Sequence, residues 1–347
     1  MRKARIIEST SAVYHVMSRV VDKQMVLDEH EKQVFYDGMR AMEGFSGLEV
    51  ITYAILDNHF HILLHVPERQ EVSDEQFIRR LGCLYGEREA GRIDRKLAGL
   101  RKKDAHQEAE ELRAGYTYRM YSLSEYMKTL KQRFTQDFND RHDRRGTLWE
   151  ERYKSLLVEP DTGFGRGLQN LGALATVAAY IDLNAVRAGL VDDPKDYRYC
   201  GYGEAMAGGS RARLGLDRVV RSLGLEGDLD AQLQTYRMTL FASGEAAGLD
   251  ENGRPLRRGF SPEQVREVLE AGGLLPVNDA LRCRVLYFSN GAAVGSADYV
   301  EEVFHRHREQ FDIRRTCGAV PMIGAEWGGM CTARPLSRAA IVCPARC

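Results

Sequence analysis

The chain has 347 residues, with 49 Lys and Arg against 50 Asp and Glu for a formal net charge of −1. That length allows a sizeable core, either as two domains or as one domain with appendages. No run approaches the ~20 apolar residues of a membrane span, and Met1-Arg2-Lys3-Ala4-Arg5 leads into polar residues, so a cytoplasmic protein with no membrane partner is expected. The seven cysteines form no CxxC pair and no zinc-finger spacing, which reads as reduced thiols.

Residues 11 to 20 are rich in β-formers and predict a first strand, and residues 28 to 42 predict a helix with an acidic first turn. Gly44 and Gly47 mark a turn. Two β-rich runs follow, 48 to 56 and 59 to 66, joined by the short polar connection Asp57-Asn58 of a hairpin. His59 and His61 open the second of these strands. Period two puts both imidazoles on one face with Cα atoms roughly 6–7 Å apart, close enough to share an ion or a phosphate. The pair needs a third ligand to be a metal site, and without one it reads as two hydrogen-bonded strand residues. Asp57 suits the turn, and His65, further along the same strand face, reads as structural.

From about residue 68 to 121 the chain becomes charge-rich and helix-forming, as an inserted helical hairpin would be. Leu123, Tyr126, Met127, Leu130, Phe134 and Phe138 then follow helical spacing behind Ser122 or Ser124 as a cap. Between 128 and 154 lie Lys128, Lys131, Arg133, Arg141, Arg144, Arg145, Arg152 and Lys154, interleaved with Phe134, Phe138 and Trp149. Surfaces that grip phosphates and stack bases have this composition, as does a solvated helix followed by a basic turn. A strand is expected over 149 to 159 and a largely apolar helix over 168 to 186, with Gly189 and Pro194 as stop signals.

The βαββαβ order plus a helix suits an α+β fold, a ferredoxin-like antiparallel sheet with helices on one face. A domain over 1 to 200 is expected to be followed by a Gly- and Arg-rich linker at 201 to 215, a mostly helical accessory region at 216 to 313, and an irregular tail from 314.

Tyr180 and Asn184 stand four apart on one helix face. Taken singly, one is a core tyrosine and the other a helix stop. Joined to His59 and His61, they make a set of two imidazole nitrogens and one carboxamide oxygen for a divalent ion, with a phenol beside it. Mixed nitrogen and oxygen ligands admit Mg²⁺ or Mn²⁺, and the imidazoles favour Mn²⁺.

Four segments in order resemble one group. They are Tyr14-His15-Val16-Met17-Ser18-Arg19, then Asn58-His59-Phe60-His61, then Gly146 to Ser155 around Trp149, and Tyr180-Ile181-Asp182-Leu183-Asn184-Ala185-Val186-Arg187-Ala188-Gly189. Together they resemble the REP-associated tyrosine transposases, which belong to the HUH single-stranded DNA transposases of the insertion sequence 200 type. The resemblance covers roughly residues 11 to 200. It departs at Ala185, where the family commonly has proline, and in the charged insertion after Val66.

The resemblance implies a metal-dependent cleavage and strand transfer of hairpin-bearing single-stranded DNA. Tyr180 would be the nucleophile and His59, His61 and Asn184 the metal ligands, with a 5′-phosphotyrosine link and a free 3′-hydroxyl as the outcome. Tyr126, in an apolar stripe, and Tyr153 are weaker rivals. Phosphate contacts are expected from Arg2, Lys3, Arg5, Arg19, Arg144, Arg145, Arg152 and Lys154. Trp149 either stacks on a base or packs in the core. Two alternatives remain at this point: a hairpin-DNA binder that no longer cuts, and a metal-dependent nuclease using water. Monomer or homodimer, with the site assembled in cis or in trans, is also open.

Overall fold

The strand β1 (Ala12–Arg19) is buried at every position except Arg19, because it sits inside a sheet with both edges paired and both faces covered. The computed structural model describes residues 5–160, 171–224, 228–241, 267–268, 270–271, 274–336 and 340–342. Arg2, Lys3, Cys343 and Cys347 lie outside the described residues, as do the start of the 168 to 186 helix and part of the expected helical region beyond 261.

After β1 come α1 (Glu29–Ser46), β2 (Glu49–Ile55) and β3 (His59–Val66), then α2 (Asp74–Tyr85), α3 (Glu87–Arg101) and α4 (His106–Thr117). These are followed by α5 (Leu123–Arg141), β4 (Lys154–Val158), α6 (Ala173–Asp182) and α7 (Asn184–Arg187). Asp28 caps α1 by accepting from the Glu31 amide, and Gly47 ends it at φ 75°, where a side chain would be strained. Ser122 caps α5, whose buried stripe is Leu123, Tyr126, Met127, Leu130, Phe134 and Phe138. The inserted segment is three helices and not a hairpin of two. The strand expected over 149 to 159 is confined to Lys154–Val158, with Trp149 held by a single bridge to Val20.

A mixed, mostly antiparallel seven-stranded sheet runs in the order β2-β3-β1-β4-β6-β8-β7. The added strands are β6 (Ala293–Gly295), β7 (Val320–Pro321) and β8 (Cys331–Thr332), of which β6 pairs with β4 in parallel. Helices cover both faces, contrary to the one-sided expectation. On one face Phe60 of β3 meets Phe35 of α1 with ring centroids 4.5 Å apart, and Phe35 meets Phe134 of α5 at 5.3 Å. On the other, His61 meets Tyr180 of α6 at 6.0 Å. Strand alternation explains the split, since Phe60 and His61 must point to opposite sides.

Two further expectations are corrected. Residues 201 to 215 are no linker, because they form α8 (Gly201–Met206) and much of α9 (Ser210–Ser222). Four of their glycines, Gly201, Gly203, Gly209 and Gly215, are sites of close packing. A Cβ on Gly215 would lie 2.2 Å from the Ile51 carbonyl oxygen of β2, and one on Gly201 would lie 2.2 Å from Thr52 Oγ1. The mostly helical accessory region beyond also contributes strands. It supplies α10 (Leu229–Phe241), α11 (Val277–Leu281), β5 (Arg284–Val285), α12 (Leu286–Asn290) and α13 (Ala297–Arg306), together with β6, which extends the main sheet. Nor is the tail irregular throughout, as it contributes β7, β8 and β9 (Ile341–Val342), the last paired with β5.

Candidate metal and tyrosine site

Cross-strand register builds the centre of the site. On β1 and β3, Arg19 lies opposite His59, Met17 opposite His61 and His15 opposite Leu63. Their side chains therefore share the face covered by α6, and His15 becomes the diagonal neighbour of His61. His59 and His61 have ring centroids 5.2 Å apart, and His15 and His61 are stacked at 5.0 Å. From α6, Tyr180 brings its ring to 6.0 Å from His61 and 6.3 Å from His15. Sequence reasoning named His59, His61, Tyr180 and Asn184, and the first three meet here.

Each metal-candidate histidine uses Nδ1 for the protein. His59 Nδ1 is 2.7 Å from Asn58 Oδ1, an acceptor, so Nδ1 carries the hydrogen and Nε2 keeps its lone pair. His61 Nδ1 is 2.8 Å from His15 Nε2. Burial, aided by Arg19, Arg187 and Arg284, lowers the His59 pKa to about 3. Burial likewise holds His61 well below the usual histidine range, with His15, His59, Arg187 and Arg19 adding to the effect. Both rings are neutral at physiological pH, the state a metal ligand needs.

Asn184 follows a break in the helix. The α6 helix ends at Asp182, Leu183 turns the chain, and α7 restarts at Asn184 even though Ala185 stands where proline was expected. The Asn184 side chain is 6% exposed, and its amide nitrogen is buried without a partner. The buried Asn184 amide therefore keeps one polar atom unspent within the protein. Among the described residues no three His, Cys, Asp or Glu side chains form a metal group. The two imidazoles brought together are donors without charge of their own, and a divalent ion there needs further ligands.

The C-terminal part closes over this centre, which the sequence did not reveal. Phe288 of α12 meets the Tyr180 ring at 5.0 Å, and the Arg187 guanidinium lies 3.9 Å over the same ring. Arg187 Nη1 donates to the Leu281 carbonyl at 2.8 Å, while Nη2 is buried without a partner. Burial lowers the Arg187 pKa. Tyr180 is only 3% exposed as a result.

The rival tyrosines are placed elsewhere: Tyr126 is fully buried and donates to the Met39 carbonyl, and Tyr153 lies under the Arg5 guanidinium at 3.7 Å. Asp57 pairs with Lys32 at 2.7 Å, and His65 uses both nitrogens, toward Glu49 and Ser11.

Trp149 is no exposed stacking platform. It is 5% exposed among Phe35, Phe60 and Phe134, and its Nε1 donates to Thr135 Oγ1 at 2.9 Å, which satisfies the indole inside the core. Of the basic residues, Arg145, Arg152 and Lys154 are exposed, and Arg144 donates to the Thr147 carbonyl. Lys131 donates to Ser18 and the Glu151 carbonyl, and Arg141 is drawn into a pair with buried Glu31. Half-buried Arg19 faces the histidines instead of the outer surface.

No family model matches the sequence, and no curated protein does. A solved chain described as a REP-associated tyrosine transposase bound to a REP hairpin aligns with a TM-score of 0.38 at 12% identity. The alignment covers 60% of this chain and 86% of that one. The functional reading is carried by the site's own residues. No described helix is long and apolar enough to cross a membrane.

Proposed function

We propose that the chain is a metal-dependent, tyrosine-dependent endonuclease and strand transferase acting on single-stranded, hairpin-bearing DNA. The site would rest on a ferredoxin-like βαββαβ sheet, a description that the strand order β2-β3-β1-β4 supports. One observation carries the reading: the Tyr180 and His61 ring centroids lie 6.0 Å apart, with the second imidazole, His59, 5.2 Å from His61. Bound Mg²⁺ or Mn²⁺, held by His59, His61 and Asn184, would withdraw charge from the phosphodiester oxygens.

The protein's own part is to aim the phenol. Tyr180 Oη bonds to phosphorus as its proton leaves, the bond to the 3′-oxygen breaks, and that oxygen takes up a proton to become a free 3′-hydroxyl. The 5′-phosphate stays on the tyrosine, so a second 3′-hydroxyl can displace it without a nucleotide cofactor. Exposed Arg145, Arg152 and Lys154 are available to the DNA backbone outside the pocket.

Incubation with labelled hairpin DNA and Mn²⁺, followed by denaturing electrophoresis, tests this reading. A covalent adduct is expected, and Tyr180→Phe should abolish it. The burial of Tyr180 beneath Phe288 and Arg187 favours a second reading, a hairpin-DNA binder that does not cut. Binding without an adduct in the unaltered protein supports that one, whereas cleavage that survives Tyr180→Phe points to activated water.

A further inference from the structure

At the end of the sheet away from His59, three adjacent strands bring a carboxylate, an imidazole and a hydroxyl into line. Glu49 of β2 stands opposite His65 of β3, and His65 stands opposite Val13 of β1. Ser11 precedes Val13 by two residues, which makes it the diagonal neighbour of His65. Ser11 Oγ lies 2.7 Å from His65 Nε2, and His65 Nδ1 lies 2.8 Å from Glu49 Oε2. An ionised carboxylate only accepts, so Nδ1 carries the hydrogen and Nε2 offers its lone pair to the serine hydroxyl. The bond from His65, with Arg218 adding to it, keeps Glu49 below the usual carboxylate range. Six residues of β3, about 20 Å of strand, separate His65 from His59, so this cluster lies apart from the Tyr180 centre.

His65 and Glu49 also line a cavity of about 630 Å³, a size that takes a small molecule. Val13, Val50, Leu174 and Leu214 give it apolar walls, and Arg218 and Arg211 of α9 give it positive charge. Arg218 Nη1 is buried 3.2 Å from Glu49 Oε2 without an aligned hydrogen bond, and Arg211 donates to the Arg40 carbonyl at 3.5 Å. The other lining acids, Glu43 and Asp217, are paired with Arg40 and Arg221, each at 2.8 Å. The cavity therefore suits an aliphatic group that carries an anion. Ser11 is exposed, which leaves its hydroxyl open to a substrate.

We propose that Ser11, His65 and Glu49 form a second catalytic centre, which hydrolyses carboxylic esters whose short aliphatic acyl group bears an anion received by Arg218 and Arg211. Ser11 Oγ bonds to the acyl carbon while its proton passes to His65 Nε2. The ester bond to the alcohol oxygen then breaks, and that oxygen takes the proton from His65. Water attacks the acyl-serine, giving its proton to His65, and Ser11 recovers a proton as the carboxylic acid leaves. Glu49 is a positioning residue that holds the imidazole in the tautomer this needs.

The full chain is treated with a fluorophosphonate, which modifies activated serines, and the modified peptide is identified by mass spectrometry. Hydrolysis of 4-nitrophenyl butyrate and of mono-4-nitrophenyl glutarate is followed in parallel. Ser11 should be labelled, and both Ser11→Ala, at an exposed position, and His65→Gln should abolish labelling and lower kcat about 10²–10⁴-fold. Glu49→Gln should lower kcat by about 100-fold without raising KM, because the imidazole loses its fixed tautomer while Arg218 is released to the anion. The glutarate ester should be preferred about 10-fold in kcat/KM, and Arg218→Gln should remove that preference.

Failure of the fluorophosphonate to label Ser11, or labelling that survives His65→Gln, overturns the centre and leaves the tyrosine reading untouched. An unchanged kcat in Glu49→Gln removes the carboxylate from it. Equal kcat/KM for the two esters, or a preference that persists in Arg218→Gln, overturns the anionic substrate class.

Discussion

His15 Nε2 lies 2.8 Å from His61 Nδ1, and both rings are buried, at 1% and 3% exposure. For His61 to present Nε2 to an ion, its Nδ1 must carry the hydrogen and His15 must accept it. Burial holds His15 neutral, with its pKa lowered to about 3, so its Nε2 accepts when the ring hydrogen sits on Nδ1. His15 thus acts as a positioning residue that sets the tautomer of its neighbour. His15→Phe should weaken histidine-dependent Mn²⁺ binding, measured in the presence of DNA, by about 10–100-fold while leaving the circular dichroism spectrum unchanged. His15→Gln, which keeps an acceptor, should recover part of the loss. Equal affinities in all three proteins would remove His15 from the site.

Arg141 belongs to the basic segment whose composition suggested phosphate contacts, yet it is committed to the protein. It donates to Glu31, which is 1% exposed, and to Asp137, so that the end of α5 is locked to the start of α1. Arg141 and His142 keep the Glu31 carboxyl below its usual pKa despite its burial. Arg141→Met should cost on the order of 1–3 kcal/mol in urea denaturation, since a buried carboxylate loses its main donor. DNA affinity should change far less than it does for Arg145→Gln or Arg152→Gln. A larger DNA defect from Arg141→Met would return this residue to the binding surface.

Gly215 tests whether α9 is part of the fold. Its close approach to Ile51 leaves no room for a methyl group against backbone. Gly215→Val should destabilise the protein by at least about 1–3 kcal/mol through overpacking, whereas a flexible linker would accept the change without cost. Thermal unfolding distinguishes the two outcomes.

Asp182 supplies a pH signature. It is wholly buried and accepts from Thr52 Oγ1 at 2.5 Å and Tyr236 Oη at 2.8 Å, and burial outweighs these bonds to raise its pKa to about 7. The folded value is above the unfolded one of about 3.9, so the native state holds a proton that the unfolded chain releases. Its contribution is complete below the unfolded value and disappears as pH rises through about 7. Between about pH 5 and pH 8 that change is roughly 3 kcal/mol, and Asp182→Asn should remove most of it from the pH dependence of the urea midpoint. An unaltered pH profile in that variant would place the titration elsewhere.

Local periodicity was enough to read α1, the β2–β3 hairpin, the buried stripe of α5 and the common face of His59 and His61, because which residues share a face depends only on the repeat of the element. The same local logic put Tyr180 and Asn184 on one continuous helix, whereas α6 ends at Asp182 and α7 begins at Asn184. It failed for the glycines of 201 to 215, which look alike whether they loosen a chain or admit a neighbouring backbone. It failed also for Trp149 and Arg141, whose partners Phe35 and Glu31 are more than a hundred residues earlier in the chain.

The register of β1 on β3 placed His15 against His61, and the return of the last third of the chain brought Phe288 over a site otherwise built from the first two hundred residues. The sequence by itself determined which side chains have the chemistry for the site. Only the tertiary structure decided which of them meet, because strand register, burial and charge pairing are set by contacts between segments that no local spacing encodes.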